Sequence, residues 1–154
     1  QLVKLRGGLV TASGRDEHLE LLKTRGADYV VDYAKAGFWN EQEQYDYVFD
    51  SVGKGTFGKF KPFLKAKGVY ISSELGPGAE NPFLALLTPF LRGRTVRFPI
   101  PLNKQRSVDM MANLLGENKY HPMVDRSYDF GQTPEAFSYV FEGQKVGNVI
   151  VTVP

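Results

Sequence analysis

The chain contains no cysteine, two histidines and a single tryptophan. Disulfide staples are excluded, and so are thiolate zinc and iron–sulfur centres. His18 falls on a charged helical face and His121 precedes a proline, so both read as surface residues and no metal is expected. Long apolar runs are also missing. "PFLALLTPFL" (82–91) is too short to cross a bilayer and is broken by Pro89. No signal-peptide pattern stands in the sequence, and a cytoplasmic protein is the expectation. Charge of one sign is lacking too. Nineteen Lys and Arg against 17 Asp and Glu leave a formal charge of +2, which gives no case for nucleic acid. Neither a Y-x-x-x-K dyad nor a G-x-S-x-G nucleophile elbow occurs.

What remains is an ordinary globular composition. The 154 residues are 42% hydrophobic and 23% charged, enough for a sizeable core. Eleven Phe and eight Tyr read as core material rather than base-stacking platforms.

Apolar strand patterns alternate with helical ones. Strands are expected at 9–13, 28–33, 45–52, 69–73 and 95–101, the last ending in prolines that suit a sheet edge. Helices are expected at 16–26, 57–68 and 82–91. The first carries acids in its opening turn, Lys23 and Arg25 in its last, and Gly26 as stop. This alternation implies a parallel sheet covered by helices. Beyond residue 104 the pattern shifts to an amphipathic helix (106–119), a strand (122–130), a helix (133–143) with Thr133 as N-cap and Pro134 at N1, and a final strand (148–153). "QLVKLRG" (1–7) reads as the second half of a helix. The expectation is that a first strand and its loop lie upstream.

"FDSVGKGTFG" (49–58) holds a literal G-x-G-x-x-G at Gly53, Gly55 and Gly58, after an apolar run and before a helix. Glu74 follows about twenty residues on, where the fingerprint wants an acid for a ribose hydroxyl. Two readings stand. The loop cradles a dinucleotide pyrophosphate at a helix N-terminus, or it is the turn after a later strand. The second is favoured because two strands precede it, whereas the phosphate loop normally follows the first.

Several stretches together resemble the medium-chain dehydrogenase/reductase superfamily, in its zinc-independent quinone oxidoreductase branch. "VTASGRDEHLELLKTRGADYVVDY" is similar to the family's second strand, helix and third strand. "YDYVFDSVG" resembles its fourth-strand segment and "FLKAKGVYISS" the approach to its fifth. "KYHPMVDRSYDFGQTPEAFSYVFEGQKVGNVIVTV" resembles its C-terminal signature. The resemblance implies an α/β fold: a Rossmann-like doubly wound parallel sheet, lacking its first strand and glycine loop, plus a C-terminal α/β extension. Residues 1–104 would be a partial dinucleotide-binding domain. Residues 105–154 would be a segment that returns to a missing catalytic domain. "GKGTFG" would then be the turn after the fourth strand.

Ser13, Gly14 and Arg15 close a strand at the position that reads the adenosine ribose. A hydroxyl and a guanidinium there suit a 2′-phosphate, which favours NADP over NAD. The alternative is that Ser13 caps the next helix and Arg15 is a solvated charge, with Asp16 as its partner or as the cap. By resemblance Tyr33, in "VDY", approaches the adenosine phosphate; otherwise it covers a core edge. Ser51, Val52 and Gly53 stand at a strand's carboxyl end, where open α/β sheets bind ligands. Asp50 reads as a turn acceptor. Ser72, Ser73, Glu74 and Leu75 end the next strand and are candidates for the nicotinamide ribose, or else open a plain Gly/Pro connector. Asn148 is implied by resemblance to reach the cofactor; otherwise it is a turn residue.

The expected function is the cofactor-binding portion of an NADPH-dependent oxidoreductase that reduces a quinone or an activated alkene by hydride transfer. No catalytic residue is assigned, and the segment alone is expected to be inactive. The small-molecule substrate would be met through another domain. A homodimer through the 95–101 edge strand is expected. Two alternatives remain: a nucleotide- or S-adenosylmethionine-binding module, and a non-catalytic relative.

Overall fold

The computed structural model describes residues 1–35 and 44–154. They form two compact units, residues 1 and 3–104 in one and residues 2 and 105–154 in the other.

In the first unit a 3-10 turn at Lys4–Arg6 ends on Gly7, whose φ of 76° lets its N–H donate to the Lys4 carbonyl. Strand β1 (Thr11–Gly14) pairs in parallel with β2 (Tyr29–Asp32). Between them a 3-10 turn (Asp16–His18) leads into helix α1 (Leu19–Thr24), which lies against both strands. Gly14 permits that contact, since a Cβ there would sit 2.8 Å from Leu22 Cδ1.

Strands β3 (Tyr45–Asp50), β4 (Leu64–Ser72) and β5 (Thr95–Arg97) form a second parallel sheet in that order. Helix α2 (Phe57–Phe60) packs on β4, and α3 (Glu80–Leu87) packs on β5. The core is Val48, Leu64, Tyr70 and Val96, with Phe57, Phe60 and Leu84 packed around it. Phe60 stacks on the Tyr70 ring with centroids 5.9 Å apart. All pairings are parallel, as strands joined through helices require.

Three expected boundaries move. The helix read over 57–68 stops early: α2 gives way to a 3-10 turn at Lys61–Phe63, and β4 already starts at Leu64. Pro62 cannot donate into the helical ladder, while Leu64 is fully buried and its carbonyl accepts from Arg94 Nε at 2.7 Å. Strand β5 ends at Arg97, before Pro99, rather than running to 101. Helix α1 ends at Thr24, with Gly26 at φ 101° turning the chain into β2.

The second unit holds α4 (Lys104–Gly116), then β6 (Val124–Asp129), α5 (Thr133–Phe141) and β7 (Asn148–Thr152). β6 and β7 pair in parallel with α5 against them. Thr133 is not the cap. A 3-10 turn at Phe130–Gln132 precedes α5 and is closed by a capping box between Asp129 and Gln132, while the Thr133 hydroxyl donates to the Phe130 carbonyl.

Candidate nucleotide-facing strand ends

The ends of β1 and β2 bring the first candidates together. Ser13 is in register with Val31 and Gly14 with Asp32. Arg15 follows Gly14, and its Nε donates to the Tyr33 hydroxyl at 3.3 Å. Both side chains are exposed, and that hydrogen bond raises the already high pKa of Arg15. No capping bond comes from Ser13. Arg15 holds the N-cap position before Asp16–His18 without a side-chain bond. Asp16 lies 3.5 Å from Lys35 Nζ rather than on Arg15. Lys35 also sits 3.7 Å from Asp32, whose other oxygen accepts the Ala34 N–H. This strand end therefore presents a hydroxyl, a phenol, a guanidinium and an ammonium; Lys35 engages Asp16 and Asp32, while the Glu17 charge acts on Arg15. Sequence reading passed over Lys35 and Asp32. The signal was the "VDYAK" run itself, where the acid stops the strand and the cation follows two residues after the aromatic.

The ends of β3 and β4 gather the second group. Asp50 is the organiser. Its Oδ1 accepts from the N–H groups of Val52 (3.2 Å) and Gly53 (2.8 Å), and its Oδ2 from that of Gly55 (2.9 Å) and from the Tyr70 hydroxyl (3.1 Å). The loop amides that a phosphate cradle would aim at its ligand are thus spent on the protein's own carboxylate. Gly53 and Gly55 form an anion nest already filled. The literal fingerprint is the turn after β3.

Gly53 has a φ of 70°, and a Cβ there would run into Glu74 Cβ and Cγ, so the loops after β3 and β4 touch. Ser51 and Val52 are exposed beside this contact, as are Ser73 and Leu75 after β4. Ser72 is fully buried and its hydroxyl accepts the Glu74 N–H, which removes it as a ligand contact. Asn81, missed in the sequence, holds the following loop from inside. Its Nδ2 donates to the Glu74 carbonyl at 2.8 Å and its backbone N–H to that of Leu75 at 3.0 Å.

Asn148 belongs to the second unit, and both its backbone N–H and its Nδ2 donate to the Met123 carbonyl, at 2.7 and 3.1 Å.

A parallel sheet whose exposed polar groups cluster at strand ends and following loops is the nucleotide-binding type of α/β architecture. The family model described as "Zinc-binding dehydrogenase" matches residues 25–151. The chain belongs to that family, within the medium-chain dehydrogenase/reductase superfamily and its zinc-independent, quinone oxidoreductase-like branch. It is 29% identical over 144 residues to the 2-methylene-furan-3-one reductase of Solanum lycopersicum, covering 92% of this chain and 33% of that protein. It is 26% identical to the chloroplast envelope quinone oxidoreductase homolog of Arabidopsis thaliana, covering 98% of this chain and 47% of that one. The fold superposes on the quinone oxidoreductase of Coxiella burnetii with a TM-score of 0.80 at 18% identity, over 99% of this chain and 47% of that one. The chain thus spans between a third and a half of the length of these relatives.

Zinc, which the family's description names, does not fit this chain. There is no cysteine, and among the described residues no group of three His, Asp or Glu side chains is placed to hold a metal ion. Among the described residues, too, no helix is long and apolar enough to cross a membrane.

Proposed function

We propose that the chain is the nicotinamide-cofactor-binding part of an oxidoreductase that uses NADPH to reduce a quinone or an electron-poor carbon–carbon double bond. The observation that carries the cofactor choice is the Arg15–Tyr33 hydrogen bond at the shared end of β1 and β2. It holds a guanidinium and a phenol side by side, both exposed, next to the Ser13 hydroxyl. A 2′-phosphate would find a charge-assisted donor in Arg15 and neutral donors in Ser13 and Tyr33. The bare 2′-hydroxyl of NAD needs an accepting carboxylate, and Asp16 and Asp32 are ion-paired with Lys35.

The cofactor, when bound, supplies the hydride. This chain's own residues bind and orient. Ser51, Val52 and Gly53 offer a backbone rim held rigid by Asp50, and Ser73 and Leu75 offer a second rim tied down through Asn81. No side chain here is assigned a proton-transfer step. The relatives described as a furanone reductase and a quinone oxidoreductase homolog support the reaction class. A homodimer through β5, the outer strand of the order β3-β4-β5, is part of the proposal.

Differential thermal stabilisation tests the cofactor choice. NADP should raise the melting midpoint more than NAD, and Arg15→Ala should abolish the difference through about a tenfold loss of NADP affinity. Equal effects of both cofactors would overturn the 2′-phosphate assignment. Stabilisation by S-adenosylmethionine instead would overturn the oxidoreductase reading.

A further inference from the structure

Charge is unevenly spread along the chain. Between residues 51 and 108 stand ten Lys and Arg and only two acids, Glu74 and Glu80, a formal +8 in a chain whose total is +2. The rest of the chain is acidic, with 15 Asp and Glu against nine Lys and Arg.

The fold brings part of this basic block onto two adjoining loops at the amino ends of β4 and β5, opposite the strand ends that gather the candidate cofactor contacts. Between Tyr45 and Tyr47 the β3–β4 register jumps from Leu64 to Val69, so residues 65–68 bulge out of the ladder with Lys65 and Lys67 exposed. The loop into β5 comes alongside. Arg94 Nε donates to the Leu64 carbonyl at 2.7 Å, and a Cβ at Gly93 would stand 4.0 Å from the Ala66 carbonyl oxygen. Lys65 pairs with Asp46 at 2.7 Å, whereas Lys67 and the exposed Arg92 form no ion pair among the described residues.

Phe90 and Leu91 stand immediately before Arg92 and are 84% and 63% exposed. Their tip is held firmly from below. Thr88 is buried; its hydroxyl donates to the Leu84 carbonyl at 2.7 Å and accepts the Val96 N–H at 2.9 Å, and its carbonyl accepts the Leu91 N–H at 3.1 Å. Apolar side chains are thus fixed in water directly beside cations that lack an acidic partner. One kind of surface satisfies both at once, apolar within and negatively charged at its rim.

We propose that this patch docks the chain on an anionic lipid surface, with Lys65, Lys67 and Arg92 among the headgroups and Phe90 and Leu91 entering the acyl boundary. Nucleic acid answers the cations alone, because Leu91 offers no ring for a base to stack on. The patch is made of side chains on loops and takes none of the main-chain edge of Thr95–Arg97 offered for a dimer. Nor does it rest on the cofactor reading, since a lipid surface carries no nucleotide.

The test uses the whole 154-residue chain and extruded vesicles of phosphatidylcholine, alone or with phosphatidylserine at about 7:3, in about 0.1 M salt. Co-sedimentation should show at least about tenfold tighter binding to the serine-containing vesicles, weakening as salt rises. Lys67→Gln combined with Arg92→Gln should lose at least about tenfold of that affinity. Lys119→Gln combined with Lys145→Gln removes the same charge from the second unit and should leave binding unchanged. Phe90→Trp, measured against the parent protein, should give an emission that shifts to the blue on vesicles and is quenched by brominated acyl chains. No preference for phosphatidylserine, equal losses in the two double variants, or an introduced tryptophan that stays unquenched would each overturn the proposal. So would tighter binding to poly(U) than to the vesicles, which gives the cations to nucleic acid. An emission already shifted without lipid, in step with protein concentration, would also overturn it, because the face then belongs to a second copy.

Discussion

Asp50 and Tyr70 meet at the carboxyl end of the β3–β4 ladder, the phenol donating to Asp50 Oδ2 at 3.1 Å. Tyr70 is fully buried and Asp50 half-buried, so this bond ties the loop after β3 to the centre of the core. The same oxygen takes the Gly55 N–H. Asp50→Asn puts an NH₂ where one of the two acceptors stood and strands two of the four donors. The expected cost is about 2–3 kcal/mol, read by urea denaturation. In the unchanged protein, added inorganic pyrophosphate should leave the Gly53 and Gly55 amide resonances in place. A saturable shift would show that these amides are free to bind an anion.

Burial, and then the neighbouring Asp50 charge, push the Tyr70 phenol up to about 12. Its proton is held more tightly in the folded chain than in the unfolded one, where tyrosine ionises near 10. The resulting stability is fully present below pH 10 and is lost as pH rises toward 12. Tyr70→Phe should cost about 1–2 kcal/mol at neutral pH and flatten the alkaline loss. Denaturation midpoints followed between neutral and strongly alkaline pH check both effects. An alkaline limb as steep in the variant as in the parent would place the titration elsewhere.

Two glycines of one motif should respond with opposite sign. Gly53 has φ 70° and Glu74 stands where its Cβ would go, so Gly53→Ala should destabilise by about 1–3 kcal/mol. Gly58 lies inside α2, exposed, and nothing stands closer to its would-be Cβ than Thr56 Oγ1 at 3.9 Å. Gly58→Ala should be neutral or stabilise by up to about 1 kcal/mol. Thermal melts of the two variants decide this. Equal losses would mean that the three glycines act as one loop, as the fingerprint alone suggests.

The contrast shows what was legible in the sequence. Strand and helix order came from apolar periodicity, and the family from a long ordered series of segments such as "YDYVFDSVG" and the run ending in "VIVTV". The role of "GKGTFG" was open on spacing alone, because the deciding fact is where the amides point, and that depends on Asp50 and on Tyr70, twenty residues on. The helix over 57–68 failed for a related reason. Lys65 and Lys67 continue a helical-looking run, yet burial of Leu64 and pairing with Tyr45 draw the backbone into β4. The Thr133 cap failed more locally, since Thr, Asp and Gln within five residues offer two caps and Asp129 with Gln132 satisfies more donors. The Arg15–Tyr33 contact was readable as two candidates but not as a pair, because it spans the β1–β2 register.

In the second unit Asp125 joins three elements. Its Oδ2 accepts from Val146 N–H and from the Tyr139 hydroxyl, both at 2.8 Å. Tyr139 lies on α5, and its ring also carries the Arg126 guanidinium 3.8 Å from its centroid. The Val146 N–H first, and then the phenol, hold the Asp125 carboxyl below its ordinary value of 3.8. The sign follows from the depressed value. The folded chain binds its proton less readily than the unfolded one, so the stabilisation is present above the ordinary carboxylate range and is lost as pH falls through it and on to the folded value. Asp125→Asn should be less stable than the parent at neutral pH, and the two should converge in acid. Hydrogen exchange of the β6 and β7 amides, measured from neutral pH down to about 3, reads this within the unit itself. A constant gap across that range would mean that Asp125 contributes through shape rather than charge.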